Sequence, residues 1–132
     1  MIRPAVAALL VLVMTACTPA ARESDDPAPA AASGPGGQAP AAFAQCRTCH
    51  TVEPGRHLVG PSLADVWGKP AASAPDYPYS TALKQARLTW DDATLDRFLA
   101  APMQAVPGTK MTHAGLKDPA ARGAVIAYLK GL

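Results

Sequence analysis

Apolar side chains recur at helical spacing near the C-terminus, which predicts an amphipathic helix there. Asp118 is a good N-cap residue and Pro119 suits the first helical position, so we expect this helix to begin at Pro119. The residues that form its apolar face are Ala121, Val125, Tyr128, Leu129 and Leu132. A helix with a single apolar face packs against other elements of a core.

A second helix is predicted upstream of the terminal one. Thr89 is its expected N-cap, with Asp92 three residues later standing in for the glutamate of a capping box. The helix would end before Pro102, because a residue that precedes proline disfavours helical backbone. Its inward-facing residues would be Leu95, Phe98 and Leu99.

Two further helices complete the predicted pattern. Ser80 is the expected cap of a short helix that runs through Ala86, and residues 41–48 would form a first helix. No run of alternating apolar and polar residues indicates a strand. The pattern therefore predicts an all-α fold of three main helices, short helices and long loops.

The N-terminal segment resembles an export signal followed by a tether. Arg3 precedes an apolar run over residues 5–14, which is too short to span a bilayer. Small residues then lead to Cys17, as in the lipobox of bacterial lipoproteins. We expect a signal peptide over residues 1–16, and a Pro-, Ala- and Gly-rich tether over residues 17–38 that begins at a lipid-bearing cysteine. The alternative is an ordinary signal peptide without lipid.

Composition leaves residues 39–132 as one small domain. Apolar residues make up 49% of the chain, but much of this is alanine and only 5% is aromatic, so the core is small unless a cofactor fills it. The domain has ten lysines and arginines against seven acidic residues. This weak positive charge argues against a nucleic-acid-binding protein, which shows a concentrated basic face.

One pentapeptide of the domain follows the C-x-x-C-H pattern of haem attachment. Cys46 and Cys49, on one helical turn, can each form a thioether with a porphyrin vinyl group, and His50 can ligate the iron. A zinc site would need two further ligands, for which His57 and His113 are the candidates. A redox disulfide would need a strand-helix-strand context, which the pattern lacks.

Further motifs extend this match along the domain. In chain order they are CRTCHTVEPG, GPSLADVWG, DYPYS, the region of Trp90, PGTKM and IAYLK. Together they resemble the class I cytochrome c family from about Phe43 to the C-terminus. The resemblance implies the small helical fold of that family around one covalent haem c. Cys46 and Cys49 would attach the haem, with His50 and Met111 as the axial ligands of its iron.

The resemblance also implies roles for residues around the haem. The Pro61 carbonyl would accept a hydrogen bond from His50 and so fix its tautomer. Tyr79 and Trp90 would donate to a haem propionate. The residues expected at the haem floor or beside the propionates are Lys69, Tyr77, Tyr79, Trp90 and Thr109. The apolar wall would be formed by Leu63, Trp67, Leu95, Phe98 and Leu99.

The chain departs from the family pattern at several positions. Phe98 replaces a tyrosine that bonds to the methionine sulfur, and Leu83 replaces a frequent asparagine, so the pocket would be drier and ferric iron less favoured. His113 stands where mitochondrial relatives have phenylalanine. We expect it to be a surface histidine, with replacement of Met111 as ligand as the alternative. The family glycine is absent at residues 38–39, which weakens the expectation that the terminal helices cross closely.

With both axial positions filled, the expected function is one-electron transfer rather than catalysis. We expect a monomeric carrier, tethered to a membrane in the bacterial periplasm, that serves a respiratory chain. Its expected partners are a cytochrome bc1-type complex, a dehydrogenase or a terminal oxidase. The alternatives are a dedicated cytochrome subunit of one such enzyme and, if Met111 does not bind, a haem sensor or peroxidase. The lysines available for docking are Lys69, Lys84, Lys110 and Lys117.

Overall fold

The computed structural model describes residues 37–132, which form an all-α domain as predicted. The expected signal peptide, Cys17 and all but the last two residues of the expected tether lie outside the described residues. The elements are a 3₁₀ helix (Ala41–Thr48) and helices α1 (Thr81–Gln85), α2 (Asp92–Ala100), α3 (Pro102–Ala105) and α4 (Pro119–Lys130). Long loops join them. No helix in this part of the chain is long and apolar enough to cross a membrane.

Two of the predicted helix caps are confirmed. The Ser80 hydroxyl accepts a hydrogen bond from the backbone N–H of Leu83 at 3.1 Å, at the start of α1. The Asp118 carboxylate accepts one from the N–H of Ala120 at 2.9 Å, at the start of α4. Each cap satisfies a backbone donor that has no partner within its own helix.

The predicted cap of α2 is wrong by two residues. The N-cap is Asp91, whose carboxylate accepts from the N–H of Thr94 at 2.7 Å. Thr89 instead lies in extended backbone that forms an isolated antiparallel bridge, and the next N–H, of Trp90, donates to the Lys69 carbonyl at 2.9 Å. This pairing with a distant loop delays the start of the helix.

The first predicted helix covers the predicted residues but is a 3₁₀ helix. It begins after Pro40, whose carbonyl accepts from the N–H of Phe43 at 2.8 Å. It ends where the N–H of Cys49 donates to the Cys46 carbonyl at 3.1 Å. Because a 3₁₀ helix has three residues per turn, side chains three positions apart lie on the same face.

The core lies where α4 packs against the 3₁₀ helix and α2. The rings of Phe43 and Tyr128 meet edge to face, with centroids 4.7 Å apart, and Val125 is only 1% exposed. The terminal helices therefore pack closely, although the family glycine is absent. The other buried apolar residues include Leu83, Trp90, Leu95, Phe98, Val106, Ile126 and Leu129.

Candidate functional site

A cavity of about 460 Å³ lies between the long loops and the helices. Its volume falls in the range of small-molecule and cofactor sites. Side chains from the 3₁₀ helix, α1, α2 and α4 all contribute to its wall. It is also lined by the ten described residues that were predicted to bind or surround a haem, namely Cys46, Cys49, His50, Pro61, Lys69, Tyr77, Tyr79, Trp90, Thr109 and Met111.

The two cysteines reach the cavity from the end of the 3₁₀ helix. Cys46 and Cys49 are half-buried free thiols, and their spacing of one 3₁₀ turn places them on the same helix face. Burial raises the pKa of the Cys46 thiol, which keeps this sulfur protonated and neutral. Two neighbouring thiols at the wall of an apolar cavity suit attachment to one flat ligand.

His50 is held in one orientation by the Pro61 carbonyl, as predicted. Its Nδ1 lies 2.7 Å from that oxygen and must carry the proton, because a carbonyl can only accept. Burial lowers the pKa of His50, against the smaller opposite effect of this hydrogen bond, so the neutral imidazole is favoured. Nε2 is then unprotonated, which is the form that ligates a metal.

Gly60 is a site residue that the sequence did not reveal. It is buried, and a carbon added at its Cα would lie 2.7 Å from Nδ1 and 2.8 Å from Nε2 of His50. Contacts this short do not occur between real side chains, so the ring occupies space that only glycine leaves free. The Gly-Pro pair that ends in Pro61 was the one sequence signal for this close approach.

Met111 reaches the cavity from the irregular loop between α3 and α4. Its N–H donates to the Thr109 hydroxyl at 3.3 Å, and Thr109 is only 6% exposed. The loop turns at Gly115 with φ +94°, where a side chain would overlap the Ala100 carbonyl. These constraints define the path of the loop and place the thioether in the same cavity as His50.

His113 was expected to be a surface residue. It is instead half-buried and lines this cavity. Its Nδ1 accepts from the N–H of Gly115 at 3.0 Å, so Nε2 carries the proton and donates to Gln45 Oε1 at 2.7 Å. Both ring nitrogens are therefore occupied. In this conformation neither is free to replace Met111 as a ligand.

Polar side chains line another part of the cavity. The Tyr77 hydroxyl donates to the Val59 carbonyl at 2.5 Å, so it holds a loop in place. Tyr79 is half-buried, and burial raises its pKa, which keeps the hydroxyl protonated. Trp90 is 7% exposed, and its indole N–H has no hydrogen-bond partner among residues 37–132. That N–H is thus a free donor for an acceptor in the cavity.

The predicted apolar wall is mostly correct. Its confirmed members are Leu63, Leu95, Phe98 and Leu99, and Leu83 joins them. The assignment of Trp67 is wrong, because this ring does not line the cavity and is 40% exposed. Its indole N–H donates to Asp92 at 2.7 Å, and the Lys130 ammonium lies 4.8 Å from the ring centroid. The charged side chains of Asp92 and Lys130 thus contact the Trp67 ring at the surface, although Trp67 was expected to be internal.

The donor set fits a covalent haem. Two thiols, a neutral imidazole and a thioether share one largely apolar cavity, and a free indole N–H lies beside it. In the part of the chain that the structure describes, no group of three or more His, Cys, Asp or Glu side chains could hold a metal ion, so the alternative zinc site is not formed. A haem with nitrogen and sulfur axial ligands needs just the groups that line this cavity.

Known proteins resemble the chain in sequence and in structure. No family model matches it. It is 50% identical over 94 residues to cytochrome c2 iso-2 of Magnetospirillum fulvum, covering 71% of this chain and 98% of that protein. It is 50% identical over 88 residues to cytochrome c2 of Rhodomicrobium vannielii, covering 66% and 70%. Among solved structures, cytochrome cH from Methylobacterium extorquens matches with a TM-score of 0.64 at 47% identity, over 67% of this chain and 90% of that one.

Proposed function

The chain belongs to the class I cytochrome c family, and on this basis we propose that Cys46 and Cys49 attach its haem while His50 and Met111 ligate the iron. Membership rests on relatives of about 50% identity that the chain covers almost completely. The protein accordingly carries one covalent haem c and is an electron carrier, not an enzyme. The proposed haem domain is residues 39–132.

The hydrogen bond of 2.7 Å between His50 and the Pro61 carbonyl carries this proposal, together with Met111 in the wall of the same cavity. The bond orients the imidazole, leaves Nε2 unprotonated and makes it a stronger ligand. A thioether as the second axial ligand raises the reduction potential. When bound, the haem iron supplies a one-electron ferric/ferrous couple.

The surrounding side chains support electron transfer rather than catalysis. A haem sensor or peroxidase needs an open coordination position on the iron for oxygen or substrate. Ligation by both His50 and Met111 would leave no such position. Phe98 and Leu83 line the same cavity as Met111 and present only apolar side chains to it, and a less polar haem environment favours the ferrous state. The indole N–H of Trp90 would donate to a haem propionate. Tyr79, Thr109 and Lys69 line the same cavity and would supply further hydrogen-bond donors to the propionates.

An optical spectrum of the holoprotein tests the ligation. We expect the weak far-red band that ferric iron shows when bonded to methionine sulfur. Met111→Ala should abolish this band and let the reduced protein bind carbon monoxide. The matched control is Met103→Ala, because Met103 is 48% exposed and does not line the cavity. Carbon monoxide binding by the unaltered protein would refute the proposal and favour a sensor or a catalyst.

We further propose a periplasmic carrier that is held to a membrane by a lipid on Cys17. The apolar run over residues 5–14 and the small residues before Cys17 support this. As a flexible coil, the 21 residues that follow would span roughly 25 Å, enough for the domain to reach different partners. Radiolabelled palmitate should be incorporated by the unaltered protein and not by Cys17→Ser. Absence of label in both would leave the ordinary signal peptide.

The tether supports a shuttle in a respiratory chain, between a bc1-type complex or a dehydrogenase and a terminal oxidase. A dedicated subunit of one such enzyme is the alternative. Native electrophoresis of mildly solubilised membranes separates the two. A shuttle should migrate as a small free species, whereas a dedicated subunit would stay with its enzyme in a fixed ratio.

A further inference from the structure

We call residues 111–115 the Met111 segment, and it is anchored on both sides. Before it, the Lys110 ammonium donates to the Pro78 carbonyl at 2.6 Å. After it, the N–H of Leu116 donates to the Leu99 carbonyl at 2.7 Å. These contacts determine where the segment starts and stops, but not how closely its middle lies against the 3₁₀ helix that bears the two cysteines.

One hydrogen bond joins the middle of the Met111 segment to the 3₁₀ helix. The Nε2–H of His113, two positions after Met111, donates to Gln45 Oε1 at 2.7 Å. Gln45 directly precedes Cys46. In the described part of the chain, no other hydrogen bond links this segment to another element. The bond therefore ties the segment with the proposed sulfur ligand to the helix with the proposed attachment sites.

Both partners are held in the orientation that this bond requires. On the loop, Nδ1 of His113 accepts from the N–H of Gly115 at 3.0 Å, which leaves the proton on Nε2. On the helix, Nε2 of Gln45 donates to the Ala42 carbonyl at 3.2 Å, which leaves Oε1 as the end of the amide that faces His113. Side chains that are already oriented lose less conformational entropy when they pair.

The two side chains also form part of the cavity wall. Gln45 and His113 line the cavity together with Met111 and the two cysteines. His113 is half-buried, whereas Gln45 is exposed. Movement of the Met111 segment away from the cavity would separate His113 from Gln45. The bond therefore resists the movement that would carry the Met111 sulfur off the iron.

We propose that the hydrogen bond between His113 and Gln45 is a latch on the Met111 segment, and that both are positioning residues that limit how readily the sulfur leaves the iron. The inference rests on the proposed function, because it requires Met111 as an axial ligand. Since Gln45 is exposed, water replaces its partner when the latch opens, and the net contribution of the bond is small. Loss of the bond should increase the open population about two- to tenfold.

Imidazole binding to the ferric holoprotein tests the latch. The iron–sulfur bond breaks, an imidazole nitrogen donates its lone pair to the vacated position, and no electron is transferred. Because only the open form binds imidazole, the apparent affinity is proportional to the open population as long as that population is small. The far-red band reports sulfur ligation, and its decrease as imidazole is added gives the affinity.

Two variants remove the latch from opposite sides. Gln45→Leu removes the acceptor and His113→Phe removes the donor, and each keeps a side chain of similar size. Each should raise the apparent affinity for imidazole about two- to tenfold, and the double variant should raise it no further, because the same bond is lost. Gln45→Glu keeps an oxygen acceptor and should bind imidazole like the unaltered protein once salt screens its charge. Gln104→Leu is the matched control and should leave the affinity unchanged, because Gln104 is exposed on α3 and does not line the cavity.

Three results would overturn the proposal. The first is an unchanged affinity in both single variants, and the second is a double variant in which the two effects add. The third is a Gln45→Leu protein that loses the far-red band before imidazole is added and regains it with His113→Phe, since Gln45 would then restrain a competing ligand. The spectrum of the unaltered protein separates the latch from the ligation on which it rests. Absence of its far-red band would refute Met111 as a ligand, whereas a normal band with any of the three results would reject the latch alone.

Discussion

Gly60→Ala would place a methyl group in the space that the His50 ring occupies. The added carbon would lie 2.7 Å from Nδ1 and 2.8 Å from Nε2, well inside van der Waals contact. The ring cannot move freely, because Nδ1 is bonded to the Pro61 carbonyl and the iron would hold Nε2. Overpacking of such a site costs about 1–3 kcal/mol and the loss of one hydrogen bond about 1 kcal/mol. We therefore expect the free energy of unfolding to fall by about 2–4 kcal/mol.

Urea unfolding of the ferric holoprotein measures this loss. With a slope of about 2 kcal/mol per molar urea, the midpoint should fall by about 1–2 M. Gly123→Ala is the matched control, because it lies in α4 and an added carbon there meets nothing within 4 Å. This change should stabilise the protein by about 0.5–1 kcal/mol. An unchanged midpoint for Gly60→Ala, with the far-red band intact, would refute the reasoning.

The remaining predictions concern the helix ends and the cofactor. Asp118→Ala removes the cap of α4 and should lower the free energy of unfolding by about 1 kcal/mol in urea, whereas Asp118→Asn should cost little. The backbone N–H of Thr94 lowers the pKa of Asp91, so the carboxylate stabilises the fold above its unfolded pKa of about 3.9, and this contribution is lost as the pH falls through the lower folded pKa. Asp91→Asn should flatten that part of the acid-unfolding curve, and an unchanged curve would contradict the prediction. With Cys46 and Cys49 both replaced by alanine, the haem-free protein should be largely unfolded by far-UV circular dichroism; a native-like spectrum would show that the core needs no haem.

The sequence was most informative where structure is decided locally. The caps at Ser80 and Asp118 could be predicted because each depends on hydrogen bonds to residues two or three positions away. The start of α2 could not, because Thr89 is drawn into a bridge with Pro70 from a distant loop. Trp67 was misplaced for a similar reason, since its partners come from α2 and α4.

At the functional site too, local sequence motifs predicted which residues take part, but not how separate segments approach one another. Family motifs in order were enough to name ten residues that the structure brings to one cavity. They did not reveal that Gly60 makes room for His50, or that His113 bonds to Gln45 across 68 positions of sequence. Contacts of this kind depend on how separate loops meet, which no single segment encodes.

The spacing of the proposed ligands also determines how the haem constrains the chain. Cys46, Cys49 and His50 lie within five residues, so bonds to them close almost no loop, whereas Met111 lies 61 positions after His50. In the chain-entropy model used for disulfides, a cross-link over a loop of this length is worth about 4 kcal/mol. Release of the single iron–sulfur bond would therefore free most of the domain from its topological constraint while the haem stays attached. The domain could then unfold locally and refold around the haem, because the thioether bonds would keep the haem attached throughout.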